Sequence, residues 1–411
     1  MQPVTLTPSR SRALEFGIYR DGDNNLDASQ SLTVAQALQS SQSDSAVEFT
    51  VEDTTGLRVK GDEIGEGKTR TDSFTIADGQ IDDPTIGKRH DMADPDNLAK
   101  FVAQTLDNAE ASSAKQTWID LVDHGGGDGG GLETHDGKVM SMPDMAKAIA
   151  DGVALHAKEH PEDAGRSIDG VVANQCLMDT MGFADALSRA GVKYLAASPE
   201  TMLSPGVPTS VADAIARNED DPKAMARSVV NDVMHTRYGD ETTGNSFGTA
   251  AAFDVLDLSP DKIASAERAI KTFNDAAVTL RGDARSALRN DIRSVDGMVR
   301  FSQATPDMPW HADRPAIAMY TAIANDRSID SALRTDARDA AAAVNELILA
   351  HKESHAFAPF DGSSYADAVG PTIHAPVTHK QIDPWAANGI SETDNAFYKS
   401  VDGDQLARVL A

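Results

Sequence analysis

Cysteine is almost missing from this chain. Cys176 is the single example in 411 residues, which excludes an intramolecular disulfide framework and confines any sulfur chemistry to one position. Basic residues are also scarce: 37 Lys and Arg stand against 64 Asp and Glu, for a net charge of −27. That balance argues against a general binder of nucleic acid or anionic membrane, whose partners need a basic surface. No apolar run approaches the roughly 20 residues of a membrane-spanning helix. The opening segment, MQPVTLTPSRSRALEF, lacks the apolar core of about 7–15 residues that marks a secretory signal. On this reading the chain as written is cytoplasmic, unless a signal-independent route exports it. Internal repeats are missing as well, and nothing in the sequence speaks to an oligomeric state.

What is present is an ordinary globular balance of 40% apolar and 25% charged residues, over a length that exceeds one typical core. Residues 1–12 read as a flexible start. ALEFGIYR (13–20) reads as a strand, and the turn DGDNNLD after it can cap a helix over about 25–40. Further strands are expected at 47–53, 117–124, 168–176 and 192–198, with helices at 94–109, 142–159 and 178–190. Residues 56–93 alternate as a hairpin excursion would. Strands alternating with helices of this length imply an α/β fold, with a predominantly parallel sheet flanked by helices. The expected core spans 13–258. Residues 259–411 form an α-helical C-terminal extension, broken near Gly282, Gly297, TPDMPW and NDRS, in which PTIHAP (371–376) is a strand that could return to the sheet.

Two strands end in chemically active residues. WIDLVDHGGGDGGG carries His124 at a strand exit followed by glycines, and VVANQC carries Cys176 at the next. Sites in open α/β sheets form beyond the carboxyl ends of the strands, and neighbouring strands lie about 4.8 Å apart. An imidazole and a thiol can therefore share one rim, and a cysteine with a histidine roughly 50 residues upstream is the caspase-type order. A helix expected from about Asp179 would favour a Cys176 thiolate. His124 would act as general base, and the amides of Gly125 and Cys176 would face a developing oxyanion. The substrate on this reading is a protein or peptide.

FGIYRDGDNNLD, LVDHGGG and VVANQCLMDTMGFADALSRAGVKYLAASPE together resemble the clostripain family of cysteine peptidases, which are caspase-fold relatives. The likeness runs in order from about residue 14 to 200, and more faintly through AAFDVLDLS and GPTIHAP. It implies a Cys176/His124 dyad with no third side chain required. It also implies a pocket beneath the residue before the scissile bond, with an Asp two places before the nucleophile selecting Arg or Lys. Here Asn174 occupies that place, which leaves the choice between basic and neutral residues open. Asn174, Arg20 at the end of the first strand, and Ser198 are the candidate substrate contacts. Relatives are often cut between the two catalytic residues, where Lys138 and Arg166 lie in loops.

No cofactor is required for this chemistry. Some relatives depend on calcium, and the resemblance carries that over, although DGDNNLD does not match an EF-hand loop. No zinc-ligand pattern is read among the eleven histidines. Two rival readings remain: a serine esterase, since GNSFG around Ser246 matches the nucleophile-elbow pattern, and a non-catalytic binding protein on the same fold.

Overall fold

The computed structural model describes residues 11–44, 46–60, 63–202, 206–238, 251–295, 312–353, 366, 368–382 and 395–411. Strand β1 (Leu14–Gly22) is buried along its whole length. Helix α1 spans Thr33–Ser43, and so begins later than the turn sequence suggested. The Asn24 side chain accepts from the Leu26 N–H at 2.8 Å, and successive turns through Ser29, Gln30 and Thr33 use the backbone groups that a helix would need. β2 (Val47–Lys60), β3 (Glu63–Ala77) and β4 (Gln80–Ile86) form the expected hairpins. Asp78 and Gly79, both at positive φ, make the turn between the last two, the backbone that two-residue hairpins require.

Capping fixes the next elements. Asp94 accepts from the Asp96 N–H to open α2 (Pro95–Ala111). β5 (Gln116–Val122) leads into a small ribbon of β6 (Gly131–Glu133) and β7 (Val139–Met140). Ser141 then caps α3 (Met142–Glu159) by accepting from the Asp144 N–H, with Pro143 in the first turn, where its missing N–H costs nothing. β8 (Gly170–Asn174), α4 (Met181–Arg189) and β9 (Tyr194–Ala197) follow. Beyond them come α5 (Val211–Ala216), α6 (Pro222–Tyr238), β10 (Ala252–Asp257), α7 (Pro260–Ala277) and α8 (Gly282–Ser294). The C-terminal stretch adds β11 (Asp313–Pro315), α9 (Ala316–Asn325), α10 (Ser331–Asn345), β12 (Ile348–Glu353), β13 (Thr372–His374), α11 (Ala396–Ser400) and α12 (Gly403–Leu410).

The main sheet has nine strands in the order β12-β10-β9-β8-β5-β1-β2-β3-β4. The central five, β9 to β2, are parallel, and the two flanks are antiparallel. Residues alternate between two apolar layers. Ile119 and Leu121 pack with α2, α3 and α4 on one face, while Trp118 and Val122 pack with α5 and α6 on the other. Helices α7 to α10 join the first layer. Burial on both faces suits a parallel sheet. One strand assignment needs correction. PTIHAP does not rejoin the main sheet: β13 pairs with β11 in a separate two-stranded sheet. The C-terminal stretch reaches the main sheet through β12, antiparallel to β10. The chain leaves β1 toward β2 on one side and later returns to β5 on the other. That reversal is a topological switch point, and α/β proteins place their sites beyond the carboxyl ends of the strands there.

Candidate active site

His124 follows β5 and Cys176 follows β8, strands in direct register with Val122 opposite Asn174. Their exits are tied together. Gln175 Nε2 donates to the His124 carbonyl at 3.0 Å, and the Leu132 N–H donates to the same oxygen at 3.3 Å. Gly125 lies against the backbone of Cys176. A Cβ built there would stand 2.3 Å from the Cys176 carbonyl oxygen and 3.0 Å from its nitrogen. This close approach is what the first glycine of the run provides. Among the described residues the N–H groups of Gly125 and Cys176 donate to no backbone acceptor, so two adjacent donors remain at the rim.

The histidine is held from the turn after β1. His124 Nε2 lies 2.6 Å from Asn25 Oδ1. An amide oxygen only accepts, so Nε2 carries the proton and Nδ1 keeps the lone pair. Burial lowers the His124 pKa, against an opposing pull from Glu133, which leaves a neutral ring near pH 7. Asn24 fixes the loop beneath: its Nδ2 donates to Asp123 and to the Glu133 carbonyl. Asp123 is pushed well up by burial and by Asp21, and Asp21 by burial to about 7. The floor behind the histidine is therefore a pair of acids that resist ionising together.

The thiol departs from the sequence expectation. α4 begins at Met181, with Thr180 accepting from the Phe183 N–H, and Leu177 at φ +67 interrupts the path from Cys176 to the helix. The helix N-terminus is thus too far along the chain to hold a thiolate. Instead, burial pushes the Cys176 thiol up to about 11, Glu200 and Asp123 add to the rise, and the Met202 N–H opposes it. The sulfur accepts from the Met202 N–H at 3.3 Å and lies 3.6 Å from the Met202 carbonyl. The thiol and the His124 ring make no hydrogen bond with each other. In this structure Cys176 is half-buried, and its sulfur meets the Met202 backbone and not the His124 ring.

The other candidates are engaged within the protein. Asn174 Oδ1 accepts from the Val207 N–H at 2.7 Å, and its Nδ2 donates to the Val207 carbonyl at 3.2 Å, with Asp120 at 3.5 Å. Arg20 is 2% exposed. It is neither a solvated strand-end residue nor a free charge, because Asp53 and Asp27 pair its guanidinium. The Ser198 hydroxyl turns back on its own loop, accepting from the Glu200 N–H and donating to the Glu200 carbonyl. Lys138 is exposed and pairs with Asp91 at 2.7 Å. Arg166 is half-buried, bound to Asp163 and to the Ala114 carbonyl. In DGDNNLD, Asp23 binds Arg89 and His135, and Asp27 binds Arg20. Ser246 lies outside the described residues.

Sequence reasoning missed Asn25, Glu133 and Met202. The Asn-Asn pair was the available signal for the first, but it was read as a helix cap. Met202 gave no signal, since it acts through its backbone.

These features define an α/β protein of caspase-like fold, with a thiol and an imidazole on adjacent strand exits. Among solved structures the chain is similar to C11, or clostripain-family, cysteine proteases. An inactive zymogen C11 protease from Parabacteroides distasonis matches with a TM-score of 0.63 at 15% identity, over 95% of this chain and 98% of that one. A secreted C11 cysteine protease from Bacteroides thetaiotaomicron, in complex with an irreversible peptide inhibitor, matches with a TM-score of 0.64 at 12% identity, over 96% and 100%. At such identities the likeness is one of fold. No protein-family model and no curated protein sequence matches the chain.

Proposed function

We propose that this protein is a cysteine endopeptidase, with Cys176 as nucleophile and His124 as general base. The observation that carries the reading is the joined exit of β5 and β8, from which His124 and Cys176 follow on adjacent strands, with Gly125 and Cys176 N–H groups that bond no backbone acceptor among the described residues. The fold shared with C11 cysteine proteases supports it, as does the peptide inhibitor bound by one of them.

The chemistry follows from the geometry. Substrate entering the site displaces the Met202 backbone from the sulfur, and His124 Nδ1 takes the thiol proton. The thiolate attacks the scissile carbonyl carbon, and the Gly125 and Cys176 N–H groups receive the oxyanion. Collapse breaks the C–N bond, His124 returns the proton to the leaving amine, and a thioester remains. Water, deprotonated by His124, then releases the acid and regenerates the thiol. Asn174, closed onto Val207 and carrying no charge, offers no counter-ion to a guanidinium, so the preferred residue before the scissile bond is neutral. The carboxylates of DGDNNLD help to fix the loop that carries Asn25, Asp23 through Arg89 and His135 and Asp27 through Arg20.

A peptide-library cleavage profile of the wild type beside Cys176→Ala and Ser246→Ala tests this. Cleavage lost only in the cysteine variant supports the proposal; cleavage lost only in the serine variant, or absent from all three, overturns it.

A further inference from the structure

At the far end of the sheet from His124 and Cys176, the C-terminal turns of α2 and α3 meet. His156, in the last turn of α3, and His160, its C-cap residue, stand at i, i+4, a spacing the sequence reading passed over, and face Asp107 of α2. Their rings stack with centroids 5.0 Å apart and 13° between planes. Asp107 Oδ1 lies 2.7 Å from His156 Nδ1 and 3.4 Å from His160 Nε2. Ligand atoms of the three residues all fall within 4.8 Å of one another.

We propose that Asp107, His156 and His160 form a binding site for a divalent transition-metal ion of the zinc class. Two neutral imidazole nitrogens and a carboxylate oxygen make the donor set of such an ion, with solvent completing a fourth position. The remaining ring nitrogens complete the pattern. His160 Nδ1 lies 2.6 Å from Glu110 Oε2, and His156 Nε2 faces Asp163 Oδ2 at 3.4 Å. Metal-bound histidines characteristically direct their second nitrogen at a carboxylate, which fixes the ring and raises its basicity. The second independent sign is His156 itself. It is 0% exposed, and its Nε2 meets Asp163 at 3.4 Å without a well-formed hydrogen bond, a weak pairing for a fully buried ring. A bound ion repays the burial by coordinating Nδ1, which obliges Nε2 to carry a proton directed at Asp163. Asp107 and the edge of His160 reach solvent, so an ion can enter. Bound there, it would tie the end of α3 to α2 and hold the 160–166 connection, including Arg166, against the body of the protein.

The test uses the full chain carrying Cys176→Ala, which removes the thiol as a competing soft ligand. After treatment with chelator, ZnCl2 is titrated by calorimetry and CoCl2 by visible absorption. One ion per chain is expected, with the intense d–d bands of four-coordinate cobalt and a raised melting temperature. Glu110→Gln should weaken zinc binding by about 10–100-fold, the usual effect of losing such a carboxylate. His160→Ala, at a half-exposed position that tolerates truncation, should weaken it further. Circular dichroism of each variant establishes that it is folded. No stoichiometric uptake by the folded chain, or undiminished uptake in folded His160→Ala and Asp107→Asn, overturns the proposal. In the first case the cluster is a set of hydrogen-bonded histidine–carboxylate pairs only.

Discussion

The Met202 backbone engages the Cys176 sulfur twice, donating its N–H over 3.3 Å and placing its carbonyl 3.6 Å away. A carbonyl oxygen beside sulfur is compatible with a thiol and repels a thiolate, and burial pushes the group up to about 11. Iodoacetamide should therefore alkylate Cys176 slowly at pH 7.5. The rate should lie roughly two to three orders of magnitude below that of a free cysteine with its pKa near 8.5, and climb steadily with pH. Mass spectrometry of timed samples measures it. A rate matching free cysteine would mean that the 202 segment stands open in solution.

His124 titrates under two influences of opposite sign, burial lowering its pKa and Glu133 raising it. The base must be neutral, so activity should fall on the acid side as His124 gains a proton, with a midpoint below the usual histidine value of about 6.5. Glu133→Gln removes the raising charge and should move that acid limb to lower pH. His124→Ala should cost about 10²–10⁴ in kcat/KM, and Asn25→Ala less, because the ring loses its orientation and not its lone pair. The pH dependence of kcat/KM for the three variants checks all of this. An acid limb that moves upward in Glu133→Gln would contradict the assignment.

Asn174→Asp replaces an amide closed onto Val207 by a carboxylate. One oxygen keeps the Val207 N–H, but the other then faces the Val207 carbonyl and Asp120, where Nδ2 now donates. The loss should be about 1–3 kcal/mol at neutral pH, the cost of a buried polar group left unpaired. Burial and the second carboxylate would raise the folded-state pKa of the new Asp above its unfolded value near 3.9. The loss should therefore be small at pH 4 and grow as pH rises. Urea unfolding at several pH values tests it; a variant as stable as wild type at pH 7 would show that Val207 yields.

Much of this architecture could be read from pattern. The helices expected at 94–109 and 142–159 are α2 and α3, and the strands expected before His124 and Cys176 are β5 and β8. The failures share a physical cause. The start of α1 was misplaced because local Asn and Ser hydrogen bonds compete with the helix for backbone groups, a contest that periodicity does not record. β12 was absorbed into a helical stretch because ILAHKE has the residues of either state, and only pairing with β10 decides it. Strand-end position alone does not show that Arg20 and Asn174 bond within the protein. Asp53 and Val207, their partners, are distant in sequence and invisible to it. Cys176 was given a helix dipole that the αL backbone at Leu177 denies it.

Processing between His124 and Cys176 should be selective for one loop. Residues His135 to Lys138 are exposed at the tip of the β6–β7 ribbon, and Gly137, at φ +79 with nothing within 4 Å of a Cβ, is open on every side. Arg166, half-buried and bonded to Asp163 and Ala114, is protected. Exposed loop tips concentrate nicking, so fragments should correspond to cleavage beside Lys138 and not Arg166. The same ends in Cys176→Ala would assign the cut to another protease. A wild type that is intact and fully active would show that no cut is needed.

The strand order gives such a cut a particular outcome. Every strand from β1 to β6 would belong to one fragment, and β7 to β13 to the other, yet β5 and β8 are hydrogen-bonded neighbours in the middle of the sheet. Severing the chain leaves that seam untouched, along with the apolar layers that span it on both faces. The nicked protein would keep its hydrodynamic size and separate into two species only in denaturant. It would be a heterodimer made from a single gene product, with His124 on one polypeptide and Cys176 on the other.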